Sequence, residues 1–80
     1  MERNWPGVTG TDVLAMGAAL CRCESNDVTF LGSILVPEDE VVLFRFDATS
    51  ALHVEAAGGR AGLRCDRVVA AVFISRPDQS

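Results

Sequence analysis

No stretch of this sequence approaches the roughly 20 consecutive apolar residues that cross a bilayer, and no block of basic residues occurs anywhere along it. Seven Lys plus Arg face eleven Asp plus Glu, a net charge of −4. Neutralising phosphates drives nucleic-acid affinity, so an acidic chain without a basic patch is a poor nucleic-acid binder. The same deficit argues against an anionic membrane surface as partner. Prolines number only three, charged residues make up 22% and hydrophobic ones 49%. Disorder needs the opposite balance, low hydrophobicity with high net charge. There is one histidine, which leaves little room for imidazole-based catalysis or metal binding.

The three cysteines are an odd number, which does not suit a secreted disulfide framework. Reduced thiols in a cytoplasm are the simpler reading. Cys21 and Cys23 stand two apart, and on a helix such positions do not face each other. Cys65 is solitary. All three read as small semi-buried residues. The longest apolar run, Val13 to Leu20, has the length of a signal-peptide core. Its flanks are wrong for export, since Glu2 offsets Arg3, Pro6-Gly7 interrupts, and Leu20 stands where cleavage wants a small residue.

Eighty residues make one domain, expected over residues 1–75 with a polar tail at 76–80. Thr9-Gly10-Thr11-Asp12 is a capping box in which Asp12 replaces the usual Glu. It opens a helix to Arg22 or Cys23, with Val13, Met16, Leu20 and Cys23 on one stripe and Leu14, Ala18 and Cys21 widening it. Val28 to Val36 and Val41 to Asp47 are rich in β-branched and large apolar residues, as strands are. The short charged turn Pro37-Glu38-Asp39-Glu40 pairs them as an antiparallel hairpin. Thr49 or Ser50 caps a second helix from Ala51 through Ala57, which Gly58-Gly59 weakens, so that it either stops there or frays on to Gly62, which suits a left-handed cap. Arg67 to Ser75 is a final strand. With Glu2 to Trp5 as a short leading strand the order is βαββαβ. This is the split βαβ pattern of an α+β, ferredoxin-like domain with two helices on one face of a four-stranded antiparallel sheet.

An open sheet face in water should be polar at every second residue, and these strands are apolar on both sides. The uncovered set is expected to be Leu31, Leu35, Val41, Leu43 and Phe73. Burying five such side chains gains on the order of 10 kcal/mol, against roughly 4–15 kcal/mol lost on association. A face-to-face homodimer is therefore expected.

Three segments carry a family resemblance. Glu2-Arg3-Asn4-Trp5-Pro6-Gly7-Val8-Thr9 leads into the first helix. Phe46-Asp47-Ala48-Thr49-Ser50 and Ala61-Gly62-Leu63-Arg64-Cys65-Asp66-Arg67-Val68 flank the second. Together they resemble the small DUF4242 proteins, where the last two runs read Tyr-Glu-Ala-Pro-Ser and Ala-Gly-Leu-Pro-Ala-Asp-Arg-Val. The resemblance implies a ferredoxin-like fold, α+β barrel dimers and nickel as a possible metal. It also implies a first strand longer than Glu2 to Trp5, so that either this edge is short or the start lies upstream of Met1. The family's histidines fall where Gly32 and Ala57 stand here, so its nitrogen ligands are missing at the matched positions.

His53 is left as the sole metal candidate, and only across a dimer or with a cysteine, since one imidazole is not a site. Arg45, in an apolar strand, needs a counter-charge if its face is covered. Asp47 on the same side is the plain partner, and an anionic small molecule is the sharper one. Ser33, Ser50 and Cys65 are nucleophiles short of a base, and Gly58 to Gly62 follows a helix rather than opening one, unlike a phosphate loop. The chain thus reads first as a non-enzymatic dimeric α+β barrel of interaction or small-ligand type, without cofactor. The alternatives are a metal protein using His53 across a dimer, and a cofactor-free barrel enzyme in which Arg45 holds substrate.

Overall fold

A computed structural model of the chain describes residues 1–72, 74 and 77. It contains β1 (Glu2–Asn4), α1 (Gly10–Arg22), β2 (Val28–Val36), β3 (Val41–Ala48) and α2 (Ala51–Arg60). The strands form an antiparallel sheet in the order β1-β3-β2. The architecture is α+β, as expected, with three strands among the described residues.

Each helix starts where its cap residue places it. Thr9 accepts from the Asp12 N–H while the Asp12 carboxylate accepts from Thr9, closing the capping box. Ser50 caps α2 by accepting from the His53 N–H. α2 does not stop at Gly58-Gly59 but continues to Arg60. Gly58 is buried, and a Cβ there would lie 2.6 Å from the Met1 Cε. The helix thus keeps a glycine because Met1 packs on its axis. It ends in a Schellman motif: Leu63 N–H donates to the Gly58 carbonyl (2.8 Å), Gly62 N–H donates to the Gly59 carbonyl (3.1 Å), and Gly62 takes φ +76°. The left-handed cap expected at Gly62 is present.

One core joins both helices to one face of the sheet. Val13 and Leu20 of α1, Val54 and Ala57 of α2 and Leu63 after it close on Val28, Val42 and Phe44, with Met1 beneath. Gly17 lets the Phe30 ring approach α1, and Phe30 stacks at tilted angles on Phe44 and Phe46. Leu14, expected to widen the apolar stripe of α1, points into water.

The register corrects which residues share a face. Phe30 pairs with Phe46, but the next pair is Gly32 with Arg45, so Leu31 is an extra residue in a β-bulge, and Gly32 takes φ +135°. Such an insertion reverses the alternation beyond it. After the bulge Leu35 pairs with the buried Val42 and packs on the core, while Ile34 pairs with Leu43 and faces out. Leu35, expected on the uncovered face, therefore lies on the helix side, and Ile34 takes its place.

The final strand expected over Arg67–Ser75 is not assigned among the described residues. Arg67 makes one antiparallel bridge with Glu2, and residues 68–72 and 74 carry no strand pairing. Two main-chain bonds join Glu2 to Arg67, and no main-chain hydrogen bond carries that pairing further among the described residues. Phe73 and Ser75 lie outside the described residues, and so does most of the tail expected at 76–80.

Candidate functional site

Two places on the molecule gather the residues singled out by sequence. The first is the outward face and edge of the sheet. Leu31 is 52% exposed and Ile34 48%, beside half-buried Val41 and Leu43. The bulge brings Ile34 onto this face beside Leu31, so a nine-residue strand shows two large apolar side chains to solvent. Phe73, the fifth residue expected here, is outside the described residues.

Arg45 lies opposite Gly32 on this face and is exposed. Asp47 lies opposite Thr29, two residues along. Among the described residues no ion pair joins Arg45 to Asp47 or to any other carboxylate. A hollow of about 580 Å³ opens beside Arg45, lined on one side by β3 and on the other by Val68, Val69, Ala71 and Val72. Its volume is within the range of ligand sites, roughly 300–1,000 Å³.

The second place is a cleft of about 380 Å³ between the loop after α1 and one side of α2. His53 and Arg60 line it from the helix, and Arg22, Cys23, Glu24 and Asp27 from the loop. The Arg60 guanidinium donates to the Cys23 carbonyl at 3.0 Å, which ties the end of α2 to the end of α1. The His53 Nδ1 lies 2.8 Å from the Ser50 Oγ and 2.9 Å from the Thr49 Oγ1. Its Nε2 lies 3.6 Å from the Asp27 carboxylate, an ion-pair distance too long for a hydrogen bond. An Nε2–H tautomer suits this arrangement, with the proton toward Asp27 and the Nδ1 lone pair toward the hydroxyls.

The sequence reading paired His53 with nothing. Asp27 escaped it because 26 positions separate the two, and only the placement of β2 beside α2 brings them together. The helix cap accounts for the rest: Ser50 holds the first turn, and the ring three residues on folds back over it. Both ends of the His53–Asp27 pair are about half exposed, where such a pair contributes little. Among the described residues no group of three or more His, Cys, Asp or Glu side chains stands together as a metal-binding set.

Cys21 is exposed, and Cys23 and Cys65 are half-buried, all as free thiols. Burial pushes the Cys65 thiol above its ordinary value, helped by the carboxylates of Glu55 and Asp66 and opposed by the Met1 ammonium. The Met1 ammonium donates to the Phe44 carbonyl at 2.9 Å and is itself held below its ordinary value by burial. Among the described residues no hydrogen bond joins either group to a side-chain base that would make a nucleophile pair.

No helix among the described residues is long and apolar enough to cross a membrane. Compared with known proteins, the chain matches no family model, no curated protein and no solved structure. The likeness to the DUF4242 proteins therefore rests on the three quoted segments alone, and the function must be argued from the sheet face and the hollow.

Proposed function

We propose that this chain acts as a homodimeric α+β protein of interaction type, in which a second copy covers the outward sheet face. The carrying observation is the exposure of Leu31 and Ile34 beside Val41 and Leu43 on one face of a soluble-sized domain. These four side chains are already about half buried, so covering what remains gains about 3–6 kcal/mol, near the lower end of the roughly 4–15 kcal/mol that association costs. A two-fold pair is the commonest way to cover such a face.

The reading includes a fourth strand. The Glu2–Arg67 bridge starts a pairing on the outer edge of β1, and Val68, Val69 and Val72 have the side chains that strands favour. A sheet extended in this direction has the ferredoxin-like order. Val69, 53% exposed, gains cover from a partner in the same way as Leu31.

Sedimentation velocity at micromolar concentration tests the pairing. The expected result is a species of twice the chain mass, and Leu31→Lys shifts it to monomer without loss of the far-ultraviolet circular dichroism signal. A wild-type chain that sediments as a monomer across the whole concentration range overturns the proposal.

A further inference from the structure

The cleft between the loop after α1 and the side of α2 has walls that are tied together at both ends. At one end the Arg60 guanidinium donates to the Cys23 carbonyl at 3.0 Å. At the other the Thr49 N–H, just before α2, donates to the Asp27 carbonyl at 3.1 Å. The loop itself is held by the Asp27 N–H, which donates to the Ser25 Oγ at 3.2 Å, and by the two main-chain bonds between Ser25 and Val28. The opening of about 380 Å³ is thus framed by bonds already in place, and its size is that of a small-molecule site.

His53, Ala56 and Arg60 line the cleft from α2. Their spacings of three and four residues put them on one face of the helix, and the seven residues from first to last cover about 10 Å of its axis. Polar, apolar and polar surface follow one another along this wall. The charges on the facing wall divide in the same way. Arg22 precedes Cys23 and so stands at the Arg60 end, where two guanidiniums outnumber the Glu24 carboxylate. Asp27 stands at the His53 end, 3.6 Å from the Nε2. That contact is too long for a hydrogen bond, so the Asp27 carboxylate can still accept from a donor in the cleft. No ion pair joins Arg22 or Arg60 to Glu24 or Asp27. The opposite charges therefore stand apart at the two ends.

We propose that this cleft binds a small linear zwitterion, a molecule with a carboxylate at one end, an ammonium at the other and methylenes between them. The carboxylate accepts from Arg22 and Arg60, whose planar forks match its geometry. The methylenes lie over Ala56, and the ammonium donates to Asp27. A plain anion of this length meets Asp27 at its far end, and a plain cation meets the arginines, so the ligand must carry both signs. The cleft lies among the helices and not on the outward sheet face, so this inference and the pairing of sheet faces stand or fall separately.

Proton–nitrogen spectra of the full chain at low salt, titrated with 6-aminohexanoate, test it. The expected result is saturable shifts confined to residues 22–27 and 53–60, with a Kd of about 1 mM, the weak end of recognition. Hexanoate and hexylamine, which each lack one charge, bind about two- to fivefold more weakly, the scale of an exposed charge pair. Glycine, whose two charges are too close to reach both ends, is weaker in the same way. Neither the Arg22 nor the Asp27 side chain takes part in the ties between the walls, so both can be replaced with the frame intact. Arg22→Gln weakens 6-aminohexanoate and leaves hexylamine unchanged, and Asp27→Asn weakens 6-aminohexanoate and leaves hexanoate no weaker. Equal binding of hexanoate, hexylamine or glycine overturns the proposal. So do shifts spread beyond the cleft, indifference to both variants, or no saturation at about 10 mM, tenfold beyond the expected Kd.

Discussion

Gly58 and Gly59 are neighbours in α2, yet their replacement has opposite consequences. A Cβ on Gly59 meets nothing within 4 Å, so Gly59→Ala gains about 0.5–1 kcal/mol of helix propensity. A Cβ on Gly58 meets Met1 at 2.6 Å. Met1 is only 9% exposed, and its methyl end can make way only by leaving its place in the core for the hollow that Met1 lines. Overpacking costs about 1–3 kcal/mol, which outweighs the propensity gain. Urea denaturation of the two variants is expected to move the midpoint up for Gly59→Ala and down for Gly58→Ala. Sequence alone marks both glycines as weak points of a helix. It does not distinguish them, because the neighbour that decides the matter is 57 positions away.

Among the elements, β2 shows best what sequence carries and where it stops. Its existence follows from β-branched composition, and its hairpin with β3 follows from the short turn between them. The bulge does not follow. Gly32 is the only local sign of it, since a glycine inside a strand is tolerated where the backbone leaves the ordinary region. At φ +135° a side chain is strained, so Gly32→Ala is expected to cost about 1–3 kcal/mol, read as a lower thermal midpoint. That single extra residue decides whether Leu35 or Ile34 faces outward, so any list of face residues made by simple alternation fails beyond it. The helices were more legible, because their limits are set by local chemistry: Thr9 with Asp12 at one start, Ser50 at the other, Gly62 at one end. The His53 cluster was half legible for the same reason. Ser50 and Thr49 are within one turn of the ring, whereas Asp27 arrives only through the tertiary fold.

At the scale of the whole molecule, the Met1 ammonium and the Cys65 thiol shape the response to alkaline pH. Burial lowers the Met1 ammonium from its ordinary value of 8.0. The unfolded chain then binds this proton more tightly, so stability rises with pH up to about 8. Burial raises the Cys65 thiol from its ordinary value of 9.0. The folded chain holds that proton more tightly, so stability falls as pH rises beyond about 9. Thermal melting followed from pH 6.5 to 10 is expected to pass through a maximum between the two, within the alkaline range. A Cys65→Ser variant is expected to lose the fall on the alkaline side while keeping the rise below it.

Glu2 holds two distant parts of the chain in one grip. Its N–H donates to the Arg67 carbonyl, its carbonyl accepts from Asp66 and Arg67, and its carboxylate takes the Arg67 guanidinium at 2.9 Å. Because all these bonds converge on one residue, they form and break together. Residues 66–72 are accordingly latched rather than laced: apart from the Asn4 N–H that donates to the Asp66 carboxylate, their hydrogen bonds to the sheet close on the Glu2 clasp, and if it opens they lift away together and take one wall of the hollow beside Arg45 with them.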